Sequence, residues 1–222
     1  MINIFIGYDA GEKIAYHVLS QSIIKYSSGP VRITPLYLPN LQNIFFREKV
    51  PNQSTEFAFS RFLVPHLSNF EGWSVFMDCD MMLRTDIQEL NSLYDSKYAV
   101  QVCKHNYVPR QNVKFRGAKN EAFPKKNWTS FMITNNSKCK ELSLQYVHDA
   151  TGLELHQLKW INEQSIGELP QEWNWLVGEY DYNEKAKNVH FTLGGPYFTD
   201  YKNCDYSDEW FEIYKETVKI DL

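Results

Sequence analysis

Two aspartates one residue apart, Asp78-Cys79-Asp80, close the apolar run Ser74-Val75-Phe76-Met77 and lead into Met81-Met82-Leu83. Side chains alternate along an extended chain, so Asp78 and Asp80 would point to one side of a strand end and Cys79 to the other. Two anions held side by side repel unless a positive charge lies between them. A divalent cation is the usual reason to tolerate such a pair, and hard carboxylate oxygens suit Mg²⁺ or Mn²⁺. The strand end would then seat a metal-bound phosphate. An Asp-x-Asp by itself is a weak motif. Its position sharpens it, because unpaired charge at the end of a strand patterned for burial is costly. The competing reading is a solvated turn after a core strand.

The elements that would position this pair follow from hydrophobic spacing. The run 2–6 is apolar and stopped by Gly7, and 12–26 carries Ile14, Val18, Leu19 and Ile23 at helical spacing. Residues 31–38, bounded by Pro30 and Pro39, read as a second strand, so the chain opens as a β-α-β unit. Such a unit places Tyr8 and Asp9 at the carboxyl end of the first strand, where ligands of open α/β sheets bind. Asp9 also suits a helix cap, with Glu12 three residues on. The Gly-rich phosphate fingerprint of dinucleotide sites is missing.

Further along, 56–67 reads as a helix with Phe59, Phe62, Leu63 and Leu67 on one side and Arg61 beside that stripe. An arginine there is by default a solvated one. Thr85-Asp86-Ile87-Gln88 matches a capping box and should start a helix reaching about residue 94. A strand is expected over 98–103. Residues 104–127, rich in Lys, Arg, Asn and Pro and without a period, read as a functional or mobile loop. A strand over 131–134, a helix over 138–147 and a short one over 160–166 follow. The aromatic stretch 169–182 reads as a loop, 189–192 as a last short strand, and 208–220 as a helix capped by Ser207.

A chain of 222 residues with no marked linker is read as a single domain, 1–222. Its 14 Tyr, 14 Phe and 6 Trp are rings that fill cores and also make platforms for sugars and bases. A net charge of −4 gives no general attraction to nucleic acid or to an anionic membrane, so any phosphate recognition must be local. The cysteines, at 79, 103, 139 and 204, show no C-x-x-C spacing and fit a reducing compartment. With no basic leader and no window near the roughly 18 apolar residues of a spanning helix, a cytoplasmic protein without a membrane span is expected. The sequons at Asn52, Asn127 and Asn135 are read as incidental.

The order of strand, Tyr8-Asp9 loop, helix, Arg61 and then Asp78-Cys79-Asp80 resembles glycosyltransferases of the GT-A fold, and among them family 8, the glycogenin-like and bacterial galactosyltransferase group. Further matches come in the same order. The run from Trp128 through Asn135 stands where that family has its Asn-Ala-Gly-rich strand, and Glu163-Gln164 where it has Asp-Gln. Leu169-Pro170 with Trp173-Asn174 is similar to its Leu-Pro-x-x-Trp-Asn, and His190-Phe191-Thr192 with Gly194 to its His-Phe-x-Gly. The likeness spans roughly residues 4–196, and its weight lies in the sequence of motifs rather than in any one of them.

The resemblance implies a mixed α/β sheet flanked by helices and a metal-dependent transfer of a sugar, with retention, from a nucleotide-diphosphate donor, a UDP-sugar favoured, to an acceptor hydroxyl. It implies that Asp78, Asp80 and His190 hold Mn²⁺ or Mg²⁺ across the donor diphosphate, where the cation stabilises the departing charge. Tyr8 and Asp9 would meet the base and ribose, Arg61 the donor sugar or its phosphates, and Gly194 and Gly195 the nucleotide-sugar. Glu163 and Gln164 would be the catalytic pair beside the anomeric carbon. Trp128, Trp173 and Asn174 would bind the acceptor, although tryptophans of this kind are by default core anchors.

The chain departs from the family where Gly195-Pro196-Tyr197 replaces a Lys-Pro-Trp whose lysine binds the diphosphate. Such a cation would have to come from Lys202 or from the basic loop 104–126, which is also the candidate for a lid over the donor. A haloacid-dehalogenase-like phosphohydrolase is the alternative for an Asp-x-Asp strand end, but it wants the pair on the first strand. A non-catalytic nucleotide-sugar-binding protein is a third reading, supported by the missing lysine.

Overall fold

The structure is a computed structural model that describes residues 1–48, 53 and 55–219. The sequon Asn52 lies outside the described residues. The strands are β1 (Ile2–Gly7), β2 (Val31–Leu36), β3 (Trp73–Met77), β4 (Met81–Leu83), β5 (Val100–Val102), β6 (Val113–Lys114), β7 (Ala118–Lys119), β8 (Phe131–Asn135), β9 (Ile166–Glu168), β10 (Trp175–Leu176) and β11 (Asn188–His190). The α-helices are α1 (Lys13–Tyr26), α2 (Leu38–Leu41), α3 (Val64–Leu67), α4 (Leu144–Asp149), α5 (Gly152–His156) and α6 (Ser207–Val218).

Six strands form the main sheet in the order β2-β1-β3-β8-β5-β9. β1 runs parallel to β2 and β3, β8 runs antiparallel to β3 and β5, and β5 runs parallel to β9. The mixed α/β sheet expected from the sequence is therefore present. Ile4 and Ile6 on one side of β1 and Phe5 on the other are all buried, as are Val75, Phe76 and Met77 of β3. Strands covered on both faces read as continuous apolar runs, and these two do.

A second sheet, β10-β11-β4, lies next along the chain from β3, because only three residues, 78–80, separate the end of β3 from the start of β4. α1 backs it: Val18 and Met82 share a buried cluster with Trp210 and Ile213 of α6, and the Ser22 hydroxyl accepts the Leu83 N–H at 3.1 Å. This corrects the sequence picture of one extended strand through Asp78 and Asp80. β3 stops at Met77, and the pair sits in the turn where the chain passes from one sheet to the other.

Other differences have local causes. The helix expected over 56–67 is a short 3-10 turn, Ser60–Leu63, followed by the single turn of α3. Pro65 has no N–H to give to a preceding turn, so it starts a helix and does not continue one. Asp86, not Thr85, caps the next segment by accepting the Gln88 N–H at 2.9 Å, and that segment is the 3-10 helix Ile87–Ser92. The helix expected over 138–147 begins at Leu144, where Ser143 caps α4. The expected 160–166 helix is only the 3-10 turn Glu163–Ser165, which runs straight into edge strand β9. α5, with its Thr151–Glu154 capping box, is a signal the sequence carried and the periodicity reading passed over.

Ser207 is the first residue of α6 and not its cap, while Tyr206 precedes it at φ 62°. Loop 104–127 contains a two-strand hairpin, β6–β7, paired Val113 to Lys119 and Lys114 to Ala118. Among the described residues no helix is long and apolar enough to cross a membrane.

Candidate active site

Three connections bring the acidic pair and a histidine together. The Asp78 N–H donates to the Ser130 carbonyl at 2.9 Å, which ties the end of β3 to the start of β8. The Phe191 N–H donates to the Asp80 carbonyl at 2.9 Å. β4 and β11 pair antiparallel with Met81 opposite His190, so register alone places the imidazole beside Asp80. As a result one ligand atom from each of Asp78, Asp80 and His190 lies within 4.8 Å of the others.

The surroundings pull the two carboxyls of this group in opposite directions. Asp78 Oδ1 has Arg61 Nη1 at 2.8 Å and Asp80 Oδ1 has His190 Nε2 at 3.3 Å. Neither contact is aligned as a hydrogen bond, and both oxygens are buried without a hydrogen-bond partner among the described residues. Burial pushes the Asp78 carboxyl up to about 6, with Arg61 opposing and Asp80 reinforcing the shift. For Asp80, burial acts upward, but the adjacent His190 and the charge of Lys114 outweigh it and the carboxyl is held below its usual value. Two orphaned carboxylate oxygens beside an imidazole nitrogen are a donor set that fits a divalent cation such as Mn²⁺ or Mg²⁺. Bringing in a cation would satisfy both oxygens at once.

Arg61 is not the solvated arginine of the default reading. It is buried, its Nη1 donates to the Thr129 carbonyl at 2.9 Å, and its guanidinium lies over the rings of Phe76 (4.9 Å) and Phe57 (5.3 Å). Tyr8, at the end of β1, meets Tyr16 and Tyr37 edge-on at 5.2 and 5.0 Å. Asp9 is buried and fully used: one oxygen accepts the Gly11 N–H at 2.8 Å, the other the Glu56 N–H at 3.2 Å. The capping role weighed from the sequence is the one its hydrogen bonds describe.

Two acceptor expectations are corrected. Trp173 is 1% exposed and stacks on Phe131 at 6.2 Å, and Asn174 is 0% exposed. Neither leaves surface for a sugar; Trp173 anchors the core and Asn174 backs His190, its Oδ1 3.0 Å from Nδ1. Trp128 is half-buried, its indole N–H donates to the His105 carbonyl at 2.8 Å, and the ammonium groups of Lys104 and Lys125 lie over its ring. Glu163 and Gln164 are exposed on their 3-10 turn, and the Glu163 carboxylate pairs with Lys125. That pairing places Glu163 on the Trp128 side, with no contact to the metal-type cluster. Gly194 and Gly195 are buried under the Tyr201 and Tyr197 rings, where a Cβ would come within 2.5 and 2.2 Å of ring carbons.

Two residues that sequence reasoning did not single out belong to this region. Glu12, buried and bonded by the Tyr197 hydroxyl at 2.6 Å, is pushed up to about 8, first by burial and then by the charges of Asp80 and Asp9. Lys114, on β6, acts electrostatically on Asp78 and Asp80 alike. Its hairpin is docked by the Phe115 N–H on the Leu193 carbonyl (2.7 Å), by the Phe115–Phe198 stack (5.2 Å) and by Arg116, 3.8 Å from Asp9. The composition of loop 104–127 marked it as basic, but only its hairpin register selects Lys114.

No family model matches the chain. Protein CDI of Arabidopsis thaliana is 42% identical over 225 residues, covering 97% of this chain and 87% of that protein. Among solved structures, the apo WbbM bifunctional glycosyltransferase superposes with a TM-score of 0.69 at 15% identity over 98% of this chain, which spans 50% of the WbbM chain. The galactosyltransferase LgtC in complex with donor and acceptor sugar analogues superposes with a TM-score of 0.64 at 11% identity, over 99% of this chain and 98% of its own. The glycosyltransferase GlyE of Streptococcus pneumoniae TIGR4 superposes with a TM-score of 0.62 at 13% identity, over 96% of this chain and 60% of its own. At these identities the likeness establishes the fold, which is that of the GT-A glycosyltransferases. In that topology the acidic pair follows the third strand, which removes the first-strand placement the phosphohydrolase alternative requires.

Proposed function

The chain belongs to the family of Protein CDI of Arabidopsis thaliana, and we propose that it is a metal-dependent glycosyltransferase that moves a sugar from a nucleotide-diphosphate donor, a UDP-sugar favoured, to an acceptor hydroxyl with retention. The reading takes residues 1–222 as one domain acting in the cytoplasm. The observation that carries it is the convergence of Asp78, Asp80 and His190 with two orphaned buried carboxylate oxygens, on a fold shared with LgtC, which was solved with donor and acceptor sugar analogues.

Asp78, Asp80 and His190 are the residues that would hold the divalent cation, which would neutralise charge on the departing diphosphate. Arg61, fixed against the Thr129 carbonyl, presents a preorganised positive charge at the same place and needs no rearrangement during reaction. Lys114 takes the part of the lysine missing at Gly195. Its hairpin rests on the 191–198 segment through Phe115, so its charge acts on the two carboxylates from a different stretch of chain. The same hairpin covers the Asp9 end of β1 through Arg116, which suits a cover that keeps water from the donor. Tyr8 offers a ring to the base. Trp128, flanked by lysines and near Glu163, is the surface left for the acceptor once Trp173 and Asn174 are assigned to the core.

Isothermal titration with UDP and with GDP, each with Mn²⁺ and with EDTA, tests this. Metal-dependent binding of UDP, followed by turnover of a UDP-sugar, is the expected result. If neither nucleotide binds in the presence of Mn²⁺, the proposal fails.

A further inference from the structure

We infer that Asn174 is a positioning residue that fixes the tautomer of His190, so that Nε2 keeps its lone pair for the cation site. This deepens the metal-site reading above and rests on it for its consequence, though not for its geometry.

The argument begins with which end of the Asn174 amide faces the histidine. Its Nδ2 lies 3.2 Å from the Asn127 carbonyl and 2.9 Å from the Ser130 hydroxyl. A backbone carbonyl can only accept, so the group turned toward Asn127 must be the NH₂. The Ser130 hydroxyl donates to the same carbonyl at 2.7 Å, which leaves its oxygen free to accept the other amide hydrogen. Both donors of Asn174 are thus committed, and Oδ1 is the atom 3.0 Å from His190 Nδ1. An amide oxygen cannot donate, so Nδ1 carries the proton and the neutral ring has its lone pair on Nε2.

That lone pair faces Asp80 Oδ1 at 3.3 Å, also an acceptor, in a buried setting. Two acceptors facing each other are unfavourable unless a proton or a metal cation lies between them, and the lowering of the Asp80 carboxyl by His190 shows that this place favours positive charge. The hydrogen-bond chain Asn127–Ser130–Asn174–His190 therefore orients the imidazole for a positive guest. Ser130 links the two halves of the site, because its carbonyl holds the Asp78 N–H while its hydroxyl holds Asn174. Trp173 sets the position of Asn174 by its stack on Phe131, the residue after Ser130. Partners that orient a ligating histidine typically change metal affinity by roughly 10- to 100-fold when removed.

The test reads the tautomer first, in the metal-free protein, by long-range ¹H–¹⁵N correlation of the histidine rings, with His190→Gln to assign the signal. Read along a pH series up to the neutral ring, the proton that remains is expected on Nδ1 in the wild type and on a mixture of the two nitrogens in Asn174→Ala. A wild-type ring protonated at Nε2 alone overturns the inference, whatever the metal does. Mn²⁺ affinity in the presence of UDP is then measured by electron paramagnetic resonance for wild type, Asn174→Ala and Asn174→Asp, with circular dichroism of each. Asn174→Ala should bind about 10- to 100-fold more weakly, and Asn174→Asp, which still accepts from Nδ1–H, should recover much of that loss. Wild-type binding that Asn174→Ala leaves unchanged overturns the positioning role alone. Absence of Mn²⁺ binding in the wild type with the Nδ1–H tautomer present overturns the metal reading of the site and leaves the tautomer assignment standing.

Discussion

Arg61 and Asp78 form a nearly buried ion pair, with Nη1 2.8 Å from Oδ1 and side-chain exposures of 6% and 13%. The same Nη1 donates to the Thr129 carbonyl at 2.9 Å, so it cannot follow the carboxylate elsewhere without losing that bond. Asp78 is thereby kept oriented toward Asp80 and His190 before any ligand arrives.

Removing Arg61 should expose the cost of the charge it covers. Arg61→Met is expected to lower stability by about 3–5 kcal/mol at pH 8, the usual range for breaking a buried pair from one side. At pH 5 the loss should be smaller. Asp78, already pushed up to about 6 by burial and higher once Arg61 is gone, is then protonated in the folded state and no bare charge remains. Urea denaturation at the two pH values checks this, and equal losses at both would contradict it.

Asp80→Asn keeps the shape of the side chain and removes the charge. The fold should persist by circular dichroism, while metal-dependent turnover should drop on the order of 100-fold or more, as when preorganised transition-state electrostatics are lost. Turnover equal to wild type would remove Asp80 from the metal site.

Lys114→Ala tests the replacement for the missing lysine. Loss of one charge-assisted contact to a phosphate should weaken UDP binding roughly 10- to 100-fold, with stability changed by less than about 0.5 kcal/mol. A parallel Lys202→Ala variant should bind as wild type does. Titration calorimetry reads both, and the reverse pattern would transfer the role to Lys202.

Glu12 predicts a pH dependence of stability. Its folded-state pKa is raised to about 8 from an unfolded value near 4.5, so the folded protein holds this proton more tightly than the unfolded chain. Its contribution is fully present below about pH 4.5 and is lost as pH rises through about 8. Glu12→Gln still accepts from the Tyr197 hydroxyl but never charges. Its Tm should match wild type near pH 4.5 and exceed it increasingly toward pH 9, by an amount worth up to a few kcal/mol. A gap that does not vary with pH would count against the buried acid.

Much of the site was legible one residue at a time. The apolar strand before Asp78 and Asp80, the Tyr8-Asp9 loop and the His190 strand end are local patterns, and local patterns survive folding. Arg61 was legible by position but not by burial, because its partners Asp78 and Thr129 lie 17 and 68 residues away. Trp173 and Asn174 were read as acceptor groups because aromatic and amide side chains suit sugars, yet packing on Phe131 and bonding to Ser130 claim them for the interior.

The amino-acid sequence by itself determined the β-α-β opening, the acidic pair and the motif order that leads to a GT-A fold, since each depends on spacing along a few residues. Tertiary structure decided the rest. Only the β4–β11 register sets His190 beside Asp80, only the switch between sheets turns Asp78 and Asp80 inward together, and only the docking of the β6–β7 hairpin selects Lys114 from the many lysines of its loop. These are contacts between distant segments, and no spacing along the chain encodes which of several possible partners a buried oxygen will face.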